Sequence, residues 1–407
     1  MDWRPMEMSE ADRSAGGLGV FELTDKLRRA AYLENQLIRQ SCGWFLRIKK
    51  YELRHRIGYH IWTHAEHVKW INERLGFLRG GKSSVSLEPA LIRFVEMVIN
   101  APNEYAFLRG TYLVLKKSLL RFYQETARDC DPAANAYDLR MINRIIPEIE
   151  EQMLWVDQIL AEDPNPDVSI QWESSLSVAL NSIGGIEATA ARNDFVEEPA
   201  GYQRFSPPDH LLFDERISDK PLMPHDEKTS LPYEDALVEQ FRIFFNEIYA
   251  AGILASILYD AFDHDMSAEF IHDFTRHFWD ECRHSEFGAV RLKELGQEPD
   301  RVNQKLFRNS QSMPLLHKVC YLTLVLEPHY MPRKKPRFRE YETAGDARSQ
   351  LFADHDWSDE INHVRLGKDW LDKLLSDDAR SIEQLKDETR AILARLNPDE
   401  NLTLSPF

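Results

Sequence analysis

The sequence predicts an all-α protein with a four-helix bundle in its C-terminal half, and three observations support this prediction. Long stretches repeat apolar residues every three to four positions, the spacing of an amphipathic helix. Glycine is sparse, at 17 of 407 residues. The pattern Asp-Glu-x-x-His-x-x-x-Gly occurs twice, beginning at Asp280 and at Asp359. Its Glu and His stand three residues apart, which places them on one face of a helix.

The length of the chain indicates more than one folding unit. A chain of 407 residues suggests two domains or one large helical body, and its 43% of hydrophobic residues is ample for a core. We expect an N-terminal helical domain at 1–195, a Pro-rich connector at 196–232, a helical bundle at 233–375, and a C-terminal helix with a polar tail at 376–407.

The composition restricts the classes of partner. The formal net charge is −17, which argues against nucleic acid, because binding to phosphates needs a basic surface. The basic run PRKKPRFR at 332–339 is interpreted as a solvated loop. We find no uninterrupted apolar run of the ~18 residues that span a bilayer, so we expect no membrane partner. The chain is compatible with a homodimer.

The termini and the cysteines indicate a cellular compartment. Residues 1–20 lack the apolar core of a secretory signal. The four cysteines form no Cys-x-x-Cys pair, so we interpret them as reduced thiols. The sequence therefore predicts a cytoplasmic protein.

The N-terminal half reads as a series of helices. The first apolar-periodic stretch covers 23–79, with a break at Cys42-Gly43. Further helices are predicted at 88–100, 104–128, 133–161 and 169–182. His60, His64 and His67 share one stripe of the first stretch, so they form either a second metal or haem site or ordinary packing and surface histidines.

The C-terminal half reads as four long helices and a final short one. Ser267 is a suitable N-cap for the second long helix, and Gly296 is suited to its end. The predicted helices cover 233–262, 268–295, 313–330, 346–375 and 381–396.

The connectors between these helices determine the topology. Only residues 263–266 join the first two helices, so these helices should form an antiparallel hairpin. The sixteen residues 297–312, at up to ~3.3 Å each, can run the length of a helix of about 28 residues, roughly 42 Å. About a dozen residues join the third helix to the fourth. Two hairpins joined by one long crossover are therefore expected.

The four bundle helices carry acids and histidines in a fixed order. The two repeated motifs each supply a Glu and a His, and the first and third helices each supply one Glu with apolar neighbours. A carboxylate in such surroundings is costly unless it is paired or binds a metal. The predicted ligands of a two-metal site are Glu247, Glu281, His284, Glu327, Glu360 and His363.

This order, Glu, Glu-x-x-His, Glu, Glu-x-x-His, resembles the ferritin-like di-iron carboxylate superfamily. The resemblance covers about 233–375. The phrase DEINHVRLGKDWL at 359–371 also resembles uncharacterised bacterial ferritin-like families related to tRNA-hydroxylating enzymes. The resemblance implies a ferritin-like four-helix bundle with a long crossover, two iron ions and activation of O2.

Two aspartates precede the ligand glutamates and are expected to support the histidines. Metal-bound His usually donates its second N–H to a carboxylate. We expect Asp280 to contact His363, and Asp359 to contact His284, across the bundle. These acids resemble the outer carboxylates of bacterial hydrocarbon monooxygenases and of ribonucleotide reductase small subunits.

Further residues occupy the ligand stripes. His277 lies one turn before Glu281 and Asp356 lies one turn before Glu360, so each is either an additional ligand or an ordinary interior polar residue. A His one turn before a Glu-x-x-His resembles the aromatic amine N-oxygenases, although theirs lies on the last helix. Gly288 and Gly367 follow each motif His by four residues and allow close approach of a helix or a substrate.

These features together predict an O2-dependent di-iron oxygenase or oxidase that acts on a small organic substrate, with Glu281 and Glu360 as the catalytic carboxylates. Manganese can occupy the same ligands as iron. Repeated turnover requires an external electron donor, such as a reductase or a ferredoxin, since we recognise no flavin or NAD motif in the sequence. The alternatives are a ferroxidase or other iron-handling protein, and a non-enzymatic helical scaffold with a structural metal.

Overall fold

A computed structural model describes residues 17–79, 87–189, 198 and 202–397. Within these residues the fold is all-α, which confirms the predicted class. The only strands in the described part are β1 (Ser218–Asp219) and β2 (Arg301–Val302), which form one short parallel pair. Residues 1–16 and the predicted polar tail from 398 onward lie outside the described residues.

The first half of the chain forms long helices close to the predicted positions. A π-helical segment, Arg109–Lys116, joins α4 to α5. The predicted break at Cys42-Gly43 is wrong, because both residues lie inside α1 and the chain leaves the helix only at 46–50. The helices are α1 (Val20–Phe45), α2 (Tyr51–Phe77), α3 (Pro89–Val98), α4 (Glu104–Leu108), α5 (Lys117–Asp129), α6 (Ala136–Leu160) and α7 (Pro166–Ser182).

The second half contains the bundle helices and several short connecting ones. A single turn residue separates α9 from α10, and a second π-helical segment, Tyr321–Leu326, joins α13 to α14. The helices are α8 (His225–Lys228), α9 (Tyr233–Asn246), α10 (Ile248–Ala261), α11 (Ala268–Glu294), α12 (Lys305–Gln311), α13 (Leu315–Cys320), α14 (Glu327–Tyr330), α15 (Lys334–Ala344), α16 (Ala347–Leu374) and α17 (Ile382–Leu396).

The chain divides into two compact units. Among the described residues, one unit lies within 1–40 and 63–206, and the other lies within 41–62 and 207–407. This division differs from the predicted boundaries, because the turn between α1 and α2 belongs to the second unit. Within that unit the turn region packs on α11, where Tyr51 donates a hydrogen bond to Ser285 Oγ at 3.2 Å.

The second unit contains two helical hairpins joined by a crossover. The helix pair α9–α10 packs antiparallel to α11. Helix α16 packs against α11 and against the second π-helical segment, Tyr321–Leu326. The crossover carries β2 and α12. A Cβ added at Gly288 would overlap the backbone nitrogen of Phe245, and one at Gly367 would overlap the side chain of Thr323. The glycines therefore permit close helix contacts.

The basic run at 332–339 is not a solvated loop as predicted. Met331–Arg333 form a 3₁₀ turn, and α15 begins at Lys334. Proline is tolerated in the first turn of a helix, so Pro336 does not prevent this helix. Lys334 is buried in the bundle, with 4% of its side chain exposed.

One described helical stretch, Tyr233–His264, has the length and hydropathy of a membrane span. Its most apolar window is 83% buried inside the protein. This burial is the behaviour of a core helix, since helices of soluble cores pass the same test of length and composition.

Candidate metal centre

The bundle helices bring all the proposed ligand residues to one buried region. Glu247 occupies the turn between α9 and α10, and Glu327 follows directly on the second π-helical segment. Segments of π-helix are frequent at functional sites, because they re-aim one residue of a helix. The remaining side chains lie at i, i+4 and i+7 of two helices: His277, Glu281 and His284 on α11, and Asp356, Glu360 and His363 on α16.

The first group of ligand atoms, which we name position A, comprises His277, Glu281, Glu327 and His363. One ligand atom from each residue lies within 4.8 Å of the others. His277 Nε2 is 2.8 Å from Glu327 Oε1 and 3.4 Å from Glu281 Oε1. His363 Nδ1 is 3.3 Å from the same oxygen of Glu281. Two imidazoles and two carboxylates therefore converge on one point.

The second group, position B, comprises Glu247, His284 and Asp356. His284 Nδ1 lies 3.4 Å from Glu247 Oε2 and 3.7 Å from Asp356 Oδ1. This group contains one imidazole and two carboxylates. Position B is thus richer in oxygen than position A.

One glutamate, Glu281, connects the two positions. Glu281 directs Oε1 at the imidazoles of position A, and its Oε2 lies 3.8 Å from His284 Nδ1 in position B. Glu281, His284 and Glu360 form a further group whose ligand atoms lie within 4.8 Å of one another. A carboxylate between two ligand groups is the arrangement that a pair of metal ions requires.

The predicted contacts of the two aspartates are present. His284 Nε2 lies 3.2 Å from Asp359 Oδ2, and His363 Nε2 lies 3.4 Å from Asp280 Oδ2. Arg283 joins both acids, with Nη1 at 2.6 Å from Asp280 and 3.3 Å from Asp359. When each Nε2–H donates to its aspartate, the Nδ1 lone pair faces the centre, which is the orientation that a metal ligand needs.

Many polar atoms of the centre are buried without a partner in hydrogen-bonding geometry among the described residues. Buried polar groups in folded proteins are almost always hydrogen-bonded. Eight of the exceptions belong to the two ligand groups, and their chemistry of carboxylate oxygen and imidazole nitrogen fits divalent iron or manganese. They are Glu247 Oε2, His277 Nδ1 and Nε2, His284 Nδ1, Glu327 Oε1 and Oε2, Asp356 Oδ2 and His363 Nδ1.

A buried lysine also belongs to the centre. Lys334 Nζ lies 2.6 Å from Asp356 Oδ1 and 3.1 Å from Glu360 Oε1. The five carboxylates of the ligand groups and this one ammonium leave a formal charge of −4 when the imidazoles are neutral. Two divalent cations would balance that charge, so the charge count agrees with the geometry.

The close packing of acids and imidazoles shifts their proton affinities. Burial raises the pKa of Glu281, but the imidazoles of His277, His284 and His363 hold it well below its usual range. Burial lowers the pKa of His363, but Asp280 and Glu281 raise it to about 10. In the metal-free protein the imidazoles therefore hold protons that a bound cation would displace.

The histidine stripe of the N-terminal half forms a different kind of cluster. His64 Nδ1 makes a short contact with Glu34, and His67 Nδ1 lies 3.1 Å from the same carboxylate. His67 Nε2 lies 3.0 Å from Glu148, and Tyr123 donates to Glu34 at 2.9 Å. His60 is outside this group. Because these groups bond to one another, the cluster needs no cation to satisfy most of its polar atoms.

Two residues of the centre were missed by sequence reasoning. Lys334 was assigned to a solvated loop together with the rest of the basic run at 332–339. Lys334, Arg337 and Tyr341 nevertheless stand at i, i+3 and i+7, the spacing of a helix face, and this signal could have identified it. The sequence carried no comparable signal for Arg283.

The comparisons with known proteins concern the C-terminal half. A family described as a protein of unknown function (DUF455), which is of the ferritin-like type, matches residues 232–398. The match contains every residue of positions A and B. No curated protein and no solved structure matches the chain.

Proposed function

We propose that the C-terminal bundle holds two iron ions and that the protein is an O2-activating non-haem oxygenase or oxidase acting on a small organic substrate. The observation that carries this proposal is the sharing of Glu281 between two buried ligand groups. Either group alone would suit a single ion. Two groups with a common carboxylate suit a pair of ions that react together.

The ligand residues support iron or manganese more than zinc. Structural zinc sites are four-coordinate and often built on thiolates, whereas these groups contain five carboxylates and three imidazoles. A pair of ferrous ions held there would supply electrons to O2. The protein residues would orient the ions: Asp359 and Asp280 fix the two motif imidazoles, and Lys334 holds Asp356 and Glu360 in place.

One feature supports a reaction with an organic molecule rather than iron handling alone. A cavity lies directly beside the ligand glutamates, and apolar side chains such as Leu322 and Leu326 line it. Such a cavity can exclude water and hold a substrate. Continued turnover would draw electrons from an external reductase or ferredoxin.

The test is O2 consumption by the ferrous protein with an excess of chemical reductant. We expect uptake to continue beyond the added iron, and we expect Glu281→Ala to reduce its rate at least ~100-fold, since a shared metal ligand is lost. Glu286→Ala is the matched control, because Glu286 is a half-exposed acid on the same helix. Unchanged uptake by Glu281→Ala would refute the proposal. In a separate sample without reductant, oxidation of many added ferrous ions per chain would identify a ferroxidase instead.

A further inference from the structure

The cavity beside the metal centre has a floor of acids and a largely apolar wall. Its empty volume is about 750 Å³, which includes its open mouth. Leu222, Ile243 and Tyr249 contribute to the wall. The floor is formed by Glu247, Glu281, Glu327 and Glu360.

Three basic side chains, Lys228, Arg333 and Arg337, line the same cavity and a second one adjoining it. Arg337 is half buried, and its guanidinium lies 5.3 Å from the ring centre of Phe244. Within the part of the chain that the structure describes, the Arg337 guanidinium has no hydrogen bond and no ion pair. An arginine held against an aromatic ring without an acidic partner is available to a ligand.

The basic residues also repel one another. Burial, and then the positive charge of Arg337, lower the pKa of Lys228 to about 7. Glu340 opposes this shift only in part, and its own side chain is exposed. Placing like charges together in a partly buried wall is unfavourable unless a negative group joins them.

The acids of the floor do not supply that negative group once metal is bound. Lys334 and two divalent cations would balance the carboxylates of positions A and B, as counted above. The positive charge of Lys228 and Arg337 then remains without a counter-charge among these acids. The fourth basic residue that lines the cavity, Lys334, is already engaged with Asp356 and Glu360.

We propose that this cavity binds an organic carboxylate, whose carboxylate group pairs with Arg337 and Lys228 and whose apolar part lies against the wall beside the metal centre. This inference rests on the proposed function and names its substrate class. The planar guanidinium matches a carboxylate with two parallel hydrogen bonds. A phosphate monoester offers similar oxygens, so the experiment must separate the two.

The test measures binding of octanoate, octanamide and octyl phosphate to the metal-loaded protein by calorimetry. We expect octanoate to bind at least ~10-fold more tightly than octanamide, since hydrogen bonds to charged groups contribute about 1.5–3 kcal/mol. Arg337→Gln should weaken octanoate ~10- to 100-fold by the same reasoning and leave octanamide unchanged. Arg339→Gln is the matched control, because Arg339 is exposed and pairs with Glu342. It should bind octanoate like the wild type.

Each outcome separates this inference from the function on which it rests. Equal binding of acid and amide, no binding of octanoate, or an unaffected Arg337→Gln variant would overturn the inference even if the protein consumes O2. Tighter binding of octyl phosphate than of octanoate would show that the site recognises a phosphate and not a carboxylate. Octanoate binding that depends on Arg337 in a protein that holds no metal would preserve the anion site and refute the proposed function.

Discussion

Replacing Lys334 by methionine is the perturbation with the clearest expected magnitude. The ammonium of Lys334 lies within hydrogen-bonding distance of Asp356 and Glu360 and is almost completely buried. Methionine keeps most of the length of the side chain and removes its charge. The change therefore leaves two buried carboxylates without their cation and creates little empty space.

The expected cost depends on whether metal is bound. Removing one partner of a buried ion pair costs about 3–5 kcal/mol, because the remaining charge is left without compensation. In the metal-free protein we expect Lys334→Met to lose that much free energy of unfolding. In the metal-loaded protein the cations compensate the same carboxylates, so the loss should fall below about 1.5 kcal/mol, the usual limit for a core substitution that conserves volume.

The assay is urea unfolding followed by circular dichroism, with and without metal. Lys335→Met is the matched control, because Lys335 is the adjacent residue and is exposed. We expect it to change the free energy of unfolding by less than about 0.5 kcal/mol. If Lys334→Met and Lys335→Met lose equal stability in the metal-free protein, the role assigned to Lys334 is wrong. If metal does not reduce the loss, its carboxylates are not metal ligands.

Three further substitutions test the outer contacts, the helix packing and the N-terminal cluster. Asp359→Asn should weaken metal binding ~10- to 100-fold, the usual cost of losing a carboxylate behind a ligand imidazole. Gly288→Ala should lower the free energy of unfolding by about 3 kcal/mol or more, since the added methyl group meets the backbone of Phe245. Burial lowers the pKa of His67, but Glu34 raises it to about 9. Protonated His67 therefore stabilises the folded protein, fully so below the pKa of about 6.5 that histidine has in the unfolded chain. As the pH rises from that value to about 9, the free energy of unfolding should fall by about 3 kcal/mol. His67→Gln should remove this alkaline loss in urea unfolding.

Controls for these variants are available elsewhere in the chain. Asp354→Asn changes an exposed acid of α16 and should bind metal normally. Gly19→Ala adds a methyl group with no atom within 4 Å and should leave stability nearly unchanged. His210→Gln alters an exposed histidine and should keep the alkaline loss. If any test variant behaves like its control, the contact behind that prediction does not contribute as described.

The sequence alone predicted the features of the fold and of the site that depend on a fixed spacing between residues. The Glu-x-x-His motifs place their side chains on one face of α11 and of α16, and the structure brings these faces together. The predicted N-cap Ser267 located the start of α11, because its side chain accepts a hydrogen bond from Phe270 N in the first turn. The cross-bundle contacts of Asp280 and Asp359 followed from the symmetry of the two motifs.

The sequence alone did not predict the features that depend on contacts between residues far apart in the chain. The inclusion of 41–62 in the second unit depends on its packing against α11, which local periodicity does not report. The entry of Lys334 into the bundle depends on the burial of α15 against α16 and on the acids that receive its ammonium. The open question about His277 and Asp356 also required tertiary structure, which places them in position A and position B respectively.

The central claim is that the bundle holds two metal ions, and anomalous X-ray scattering at the iron edge tests it most directly. Crystals of protein loaded anaerobically with ferrous iron should show two strong peaks in each bundle, one at position A and one at position B, with the carboxylate of Glu281 between them. A single peak, or no peak among these residues, would contradict the two-metal account.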